Sequence, residues 1–288
     1  MTTLDDRNTV DAVDAPGFLR YLDPLHELWT SERHNWIWRG QASDWPLLPS
    51  AYRRNSWTRF SPVHDPILAN PAAQLNEERG VLARFYRALD ANALPIPGDE
   101  SQLLRLARSD FSDDPAWPSE LVLPLLSLAQ HCGIPTRLLD WSDDPRIAAY
   151  FAAKDAVAGR LDGDGNLVVF GLCTNFVEDH GRRGARGIRY RLVRVHHVSN
   201  PFLHAQKGRH LLVEGDLQVD GRILPLNDVL DWCSADHNIA SGEPSLRVIR
   251  LKRSSARDLL GLLRRCGVTA RTVRPSYDGV AESLAEET

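Results

Sequence analysis

The sequence predicts an α+β fold in which a helical N-terminal half packs on a mainly antiparallel sheet. Apolar residues recur at helical spacing through most of the first half of the chain. Segments that alternate apolar and polar residues, or stay apolar for several residues, lie mostly in the second half. Helices and strands are therefore segregated along the chain. Breaks that contain Pro and Gly are short, so we expect one domain at residues 16–284, after a loose segment at 1–15 and before a tail at 285–288.

The individual elements follow from spacing and from turn residues. Helices are predicted at residues 16–31, 74–92, 98–110, 119–133, 254–267 and 276–287. Strands are predicted at residues 35–40, 165–172, 188–198, 210–215, 221–226 and 245–252. Gly133 is a plausible stop for the helix before it, because glycine adopts the left-handed backbone that ends many helices. Residues 134–141 are predicted to be a loop that lies against the core.

Composition excludes several classes of protein. The 288 residues carry a net charge of -4, so no overall positive field attracts nucleic acid. The four cysteines lie far apart and form no C-x-x-C pair, which argues against zinc and against a disulfide framework. The N-terminus is acidic and polar, unlike a signal peptide, and no apolar run approaches about 18 residues. We expect a cytoplasmic protein that binds no metal and enters no membrane.

The most informative stretch is "HCGIPTRLLDWSDDPRIAAYFAA", residues 131–153. Its "SDDP" begins a helix, with Asp143 or Asp144 as the cap, and the apolar residues that follow predict that this helix is buried. Arg137 and Asp140 must then lie beside the core, where a charge is either paired or used to bind a ligand. One interpretation is an internal Arg137–Asp140 pair. The other is a pocket wall in which Trp141 stacks on a ring and Arg137 binds a phosphate or ribose.

Two further positions are candidates for a binding site. Arg39 ends a strand and precedes Gly40, an arrangement that suits an anion site and equally suits a surface salt bridge. Gln206 precedes a predicted strand, where its amide could enter a pocket or simply lie in a solvated turn. The common phosphate-binding, zinc-protease and serine-hydrolase motifs are absent from the sequence. His196 and His197 are neighbours on a predicted strand and face opposite ways, so joint metal binding is not expected.

Three segments together resemble the FRG domain family, which is named for an aromatic-Arg-Gly motif. They are Trp38-Arg39-Gly40, residues 131–153 and "AQKG" at 205–208. "LLPSAYRR" at 47–54 and the closing strand and helix add to this resemblance, which runs from about residue 30 to residue 283. One departure is Arg209, since family members usually place an apolar or aromatic residue after "AQKG".

The order of these segments is also similar, more weakly, to ADP-ribosyltransferases. That resemblance implies an ADP-ribosyltransferase-like fold and NAD as a substrate, with Arg39 on its diphosphate or ribose. It places Gln206 where such enzymes usually have a glutamate that stabilises the transition state, with Glu214 further along the chain. The catalytic residues expected on this basis are Arg39, Asp140 and Gln206. The ligand-binding residues expected are His131, Thr136, Arg137, Trp141 and Ser142.

Three functions stay open at this point. The first is an enzyme that cleaves NAD or transfers ADP-ribose to a protein or nucleic-acid target, as toxins and anti-phage effectors do. The second is a non-catalytic module that binds a nucleotide or a nucleic-acid end, with the basic clusters at 182–191 and 262–267 as further phosphate contacts. The third is a structural or interaction domain in which the central motif only organises a polar core.

Overall fold

The computed structural model describes residues 8–29, 35–53, 56–61, 70–114, 116–159, 164–195, 201–219, 222–236 and 245–286. The strands in these residues are β1 (Thr9–Ala12), β2 (Trp36–Gln41), β3 (Leu138–Ser142), β4 (Asn166–Cys173), β5 (Arg189–Val193), β6 (Gly208–Glu214), β7 (Gln218–Val219), β8 (Arg222–Ile223) and β9 (Leu246–Lys252). The α-helices are α1 (Ala15–Tyr21), α2 (Pro71–Ala91), α3 (Glu100–Arg108), α4 (Leu123–His131), α5 (Pro145–Ala158), α6 (Thr174–His180), α7 (Pro201–Ala205), α8 (Leu226–Asp236), α9 (Ala256–Arg265), α10 (Ala270–Val273) and α11 (Tyr277–Ala285).

Seven of these strands form one mixed sheet in the order β1-β9-β4-β2-β3-β6-β5. Its pairs are antiparallel except for β1 with β9, which are parallel. The remaining strands, β7 and β8, pair with each other. The predicted α+β class with a mainly antiparallel sheet is confirmed. Segregation along the chain is less strict than predicted, because α6, α7 and α8 lie among the strands of the second half.

The sheet is weakly joined at its centre, between β2 and β3. Along its whole length, from Trp36 to Gln41, β2 pairs with β4, and β3 likewise pairs with β6 along its whole length. By contrast β2 and β3 pair only where Trp38 meets Ser142. The two halves of the sheet therefore diverge on either side of this one point, which leaves space between the strands.

Helix α5 packs on this central region, against β2, β3 and β4. Its close approach to β2 requires glycine at position 40, because a Cβ atom there would lie 1.8 Å from the backbone oxygen of Ala148. Asp144 caps α5 by accepting a hydrogen bond from the backbone N–H of Arg146 at 3.0 Å, in agreement with the predicted helix start. The Trp-Arg-Gly sequence thus fixes α5 beside the strand that carries Arg39.

Several elements differ from the sequence prediction. Residues 1–15 are not loose throughout, since β1 forms an edge strand on β9. Most of β3 lies within the predicted loop at 134–141, because its five residues are too few to show a strand period. The first helix ends at Tyr21 instead of residue 31, because Pro24 disfavours helical backbone in the residue before it. Pro225 precedes α8 and limits the predicted strand at 221–226 to Arg222–Ile223.

Candidate functional site

A concave cleft opens where β2 and β3 diverge. Its main lobe has a volume of about 320 Å³. The lining residues come from β2, β3, α4, α5 and the segment before β6, and they are Trp38, Arg39, Gly40, Gln130, His131, Asp140, Trp141, Ser142, Ile147, Ala148, Phe151, Asp155 and Gln206. A second lobe of about 200 Å³ shares Arg39, Gln130 and Asp140 with the first. Asp140 therefore lies at the junction of the two lobes.

The carboxylate of Asp140 is held by side chains from two other elements. His210 is its cross-strand neighbour on β6, and His210 Nδ1 lies 2.9 Å from Asp140 Oδ1. Gln130, on α4, donates a hydrogen bond from its amide nitrogen to the same carboxylate oxygen. The amide oxygen of Gln130 in turn accepts a hydrogen bond from the Thr136 hydroxyl. Asp140 is thus fixed in direction, while 56% of its side-chain surface stays exposed to the cleft.

The far side of His210 contacts a buried serine. Ser127 Oγ lies 2.8 Å from His210 Nε2, which completes a Ser127–His210–Asp140 chain. In serine hydrolases the serine of such a chain faces the substrate and the aspartate is buried. Here the order is reversed, since Ser127 is 1% exposed and Asp140 faces the cleft. The Ser127–His210–Asp140 contacts therefore orient a carboxylate and do not present a nucleophilic hydroxyl to the cleft.

Asp140 is ionised at neutral pH. Burial by itself would raise the pKa of this carboxyl, but the hydrogen bond and charge of His210, the charge of Arg39 and the amide of Gln130 outweigh it and hold the pKa below its ordinary value of 3.8. Asp155, on α5, is the second cleft carboxyl. Burial raises the pKa of Asp155, and Lys154 and Arg39 oppose that shift. The cleft thus holds two carboxyl groups in contrasting environments.

Arg39 crosses the gap between the two halves of the sheet. Its Nη1 donates a 2.8 Å hydrogen bond to the backbone oxygen of Asp140, and its Nε is buried without a hydrogen-bond partner among the residues that the structure describes. Burial, and then the positive charge of Arg53, lower the pKa of Arg39 to about 10, although Asp140 and Asp155 oppose the shift. The guanidinium remains charged at neutral pH. Its positive charge, together with that of Arg53, favours an anionic ligand.

Aromatic side chains form much of the remaining wall. Trp38 and Trp141 are 6% and 3% exposed, and Phe151 joins them on the α5 side. At the rim, the ring of His131 stacks on Phe202 with centroids 4.2 Å apart. Burial and the charge of Arg274 lower the pKa of His131, with Asp140 opposing, so this ring is neutral at neutral pH. Flat apolar walls beside fixed charges suit a ligand that has both a ring and ionic groups.

Comparison with known families agrees with this placement of the Trp-Arg-Gly motif. Residues 34–160 match the model of the FRG domain. This chain contains an FRG domain. The matched range carries Arg39, Gln130 and Asp140, whereas His210 and Gln206 lie beyond it. No curated protein and no solved structure matches the chain significantly. The ADP-ribosyltransferase resemblance therefore stays a prediction, as does the wider domain at 16–284.

In the FRG domain cleft, Ser142 and Gln206 are linked to each other. Ser142 Oγ donates a 2.8 Å hydrogen bond to the backbone oxygen of Gln206 and accepts one from the backbone N–H of Asp144. The hydroxyl of Ser142 is thus used within the protein, and it fixes the segment that brings Gln206 to the cleft. Arg209, the departure from the family pattern, pairs with Asp143 at 2.6 Å. Glu214 lies elsewhere and pairs with Arg191 at 2.8 Å.

Two residues predicted to bind ligand lie outside the FRG domain cleft. Arg137 is buried and forms two hydrogen bonds to the carboxylate of Glu78 on α2, at 2.7 and 3.0 Å. Among the described residues it pairs neither with Asp140 nor with any other group that lines the cleft, because Arg137 lies just before β3 and its guanidinium reaches Glu78 on α2. Thr136 is 1% exposed, and its hydroxyl acts on the site through Gln130. The other predicted site residues all line the cleft, and they are Arg39, His131, Asp140, Trp141, Ser142 and Gln206.

Three residues of the site were missed in the sequence. Ser127 and Gln130 are one helical turn apart on α4, and His210 directly precedes the apolar run Leu211-Leu212-Val213 on β6. Polar residues at these spacings within apolar segments are a weak signal of a buried polar cluster. Their partners depend on how α4 packs beside β3 and β6, which one sequence does not reveal.

No metal site or membrane helix is found in the described part of the FRG domain protein. Over those residues, His, Cys, Asp and Glu side chains nowhere gather in a group of three that could hold a metal ion. None of the described helices combines the length and apolarity needed to cross a bilayer. The pair His196-His197 lies outside the described residues.

The lowered pKa of Asp140 predicts a pH-dependent contribution to stability. The ionised carboxylate is favoured in the folded state, so its stabilisation is present above the unfolded pKa and is lost as pH falls through the lower folded pKa. Asp140→Asn removes this contribution. The wild type should melt at a higher temperature than the variant near pH 7, and the gap should close below about pH 3.8. Melting curves by circular dichroism measure it, and a gap that is constant with pH contradicts the assignment.

Proposed function

We propose that the FRG domain cleft binds NAD or a related nucleotide and cleaves the bond between nicotinamide and ribose. The observation that carries this proposal is the ionised Asp140 carboxylate, held by His210 and Gln130 and directed into a cleft beside Arg39. A carboxylate fixed in this way stabilises positive charge that develops next to it. Departure of nicotinamide leaves such a charge on the ribose.

The reaction follows from this charge distribution. The bond between ribose C1′ and the nicotinamide nitrogen breaks, and its electron pair stays with nicotinamide. Positive charge then spreads over C1′ and the ring oxygen of the ribose, where the Asp140 carboxylate stabilises it electrostatically. A water oxygen bonds to C1′ and releases a proton to solvent, which gives ADP-ribose and nicotinamide. In ADP-ribosyl transfer, a nucleophilic group of a macromolecule takes the place of water.

The aromatic wall has a role in this scheme. Trp38, Trp141 and Phe151 offer flat apolar surface to the nicotinamide ring before and after cleavage. They also keep water from part of the main lobe, which strengthens the interaction between Asp140 and the developing charge. Gln206, a neutral amide at the same lobe, can donate a hydrogen bond to a ribose hydroxyl but supplies no charge.

The position of Asp140 favours catalysis over simple binding. A nucleotide is an anion, so a fixed carboxylate beside it weakens binding of the ground state. The same carboxylate strengthens binding of a cationic transition state, which is the condition for catalysis. A module that only binds nucleotides could also use Asp140 to accept a hydrogen bond from a ribose hydroxyl, so turnover is the property that separates the two functions. Cleavage of NAD by a toxin or an anti-phage effector is the biological setting that this chemistry suits.

Release of nicotinamide from NAD by the purified protein tests the proposal, with Arg39→Ala as the comparison. We expect the wild type to release nicotinamide and the variant to lose about ten- to a hundredfold in kcat/KM, since a charge-assisted hydrogen bond is removed. Melting curves check that the variant is folded. Binding of NAD without turnover identifies a nucleotide-binding module instead. If the protein neither binds nor cleaves NAD, both functions are rejected.

A further inference from the structure

The second lobe of the cleft contains two arginines and belongs to the same site as Asp140. It has a volume of about 200 Å³ and is lined by Arg39, Ser50, Arg53, Gln130 and Asp140, among others. Arg39 enters it from β2, and Arg53 enters it from the segment that precedes α2. This segment was not assigned any function from the sequence.

Neither arginine of this lobe has an acidic side chain as its partner among the described residues. Arg39 donates to the backbone oxygen of Asp140, and Arg53 donates from Nε to the backbone oxygen of Leu48 at 2.8 Å. Other arginines of the chain pair with carboxylates, as Arg137 does with Glu78 and Arg191 with Glu214. Two guanidinium groups that share a lobe without such partners create a local excess of positive charge.

The pKa of Arg39 reflects this excess. Burial lowers the pKa of Arg53, with Asp140 opposing. Burial and then the charge of Arg53 lower the pKa of Arg39. An anion placed between the two groups would relieve the repulsion that acts on Arg39.

The arginines are also held in position before any ligand binds. The segment that carries Arg53 is joined to the residues just before β3 by a 2.9 Å hydrogen bond from the Ala51 N–H to the Thr136 oxygen. Ser50 Oγ accepts a second bond from the Thr136 N–H at 2.9 Å. Arg39 is fixed by its bond to Asp140. Preorganised donors bind an anion with a smaller loss of conformational entropy than flexible ones.

We infer that this lobe binds the diphosphate of the nucleotide, with Arg53 as a specificity residue that recognises phosphate together with Arg39. The inference rests on the proposed function and adds an orientation to it. The diphosphate lies between the two arginines, the ribose lies over Asp140 at the junction, and the nicotinamide lies in the main lobe. The carboxylate of Asp140 also lines the second lobe, so the phosphates occupy its arginine side.

Direct titration with inorganic pyrophosphate tests this assignment without any need for turnover. Calorimetry is carried out on the wild type, Arg53→Gln and the matched control Arg84→Gln. Like Arg53, Arg84 donates to a backbone oxygen, that of Phe60 at 2.7 Å; it also pairs with Glu77 at 3.2 Å, and it lies outside the cleft. We expect pyrophosphate to bind the wild type and Arg84→Gln equally. Arg53→Gln should bind it about tenfold or more weakly, because a charged donor is lost.

The outcomes separate this inference from the proposed function. Equal affinity of the wild type and Arg53→Gln for pyrophosphate overturns the inference, and so does absence of binding to the wild type. Pyrophosphate binding that depends on Arg53, in a protein that does not cleave NAD, keeps the diphosphate site and rejects the enzyme. Cleavage of NAD at the wild-type rate by Arg53→Gln keeps the enzyme and rejects the diphosphate site.

Discussion

Asp140→Asn should lower the rate of nicotinamide release by about 10²- to 10³-fold, the usual effect of removing one preorganised electrostatic group from a transition state. Asparagine has the same shape as aspartate, but it carries no negative charge. The hydrogen bond with His210 and the backbone contact with Arg39 can both persist. The loss should therefore appear in kcat, while binding of the product ADP-ribose stays the same or becomes tighter.

Asp143→Asn is the matched control for this experiment. Asp143 is three residues further along the chain, its side chain is 41% exposed, and it pairs with Arg209 outside the cleft. Its replacement should leave nicotinamide release within about a factor of two, as expected for a surface ion pair. If Asp140→Asn and Asp143→Asn have equal activities, Asp140 does not act on the reacting atoms.

Arg137→Met should destabilise the fold by about 3–5 kcal/mol, because it leaves the carboxylate of Glu78 buried without its partner. The side chains of Arg137 and Glu78 are only 6% and 4% exposed, and two hydrogen bonds join them. Burial alone would lower the pKa of Arg137, but the charge and hydrogen bonds of Glu78 reverse that direction. A protein of this size should lose roughly 10 °C in melting temperature.

A surface pair provides the control for Arg137. Arg87 and Asp110 lie 2.8 Å apart with side chains that are 51% and 59% exposed. Arg87→Met should cost less than about 1 kcal/mol, since exposed pairs add little to stability. The double variant Glu78→Leu/Arg137→Met should recover part of the stability lost in Arg137→Met, because no charge then stays buried. A melting temperature of Arg137→Met equal to that of the wild type contradicts the structural role.

These two substitutions separate a catalytic role, at Asp140, from a structural role, at Arg137, although the two residues are three positions apart in one motif. Asp140→Asn is expected to remove activity with a modest effect on stability at neutral pH. Arg137→Met is expected to remove stability, and the fraction of it that folds at low temperature should retain activity. A purely structural motif would give the same loss of stability for both.

The sequence could predict the parts of the site that lie within one segment. The start of α5 at "SDDP" and the strand that carries Arg39 both follow from local signals, and both are confirmed. The position of Asp140 beside the core also follows from the buried helix after it. The partner of Arg137 does not follow, because Glu78 lies 59 residues earlier and its approach depends on how α2 packs.

The sheet explains the remaining differences. In the sequence, β3 looks like a loop, since "LLDWS" shows no clear alternation and begins just after a turn. Its pairing with β6 places Asp140 opposite His210, and only that register reveals the anchored carboxylate. The divergence of β2 and β3 likewise depends on tertiary packing. The carboxylate that the resemblance sought near Gln206 or Glu214 is thus supplied, in our proposal, by Asp140.

The rate of nicotinamide release from NAD, compared between the wild type and Asp140→Asn under identical conditions, tests the central claim most directly. We predict that the wild type releases nicotinamide and that the variant does so at a rate at least about a hundredfold lower, with both proteins folded and able to bind ADP-ribose. Release at the same rate by both proteins would show that the anchored carboxylate is not the group that drives the reaction.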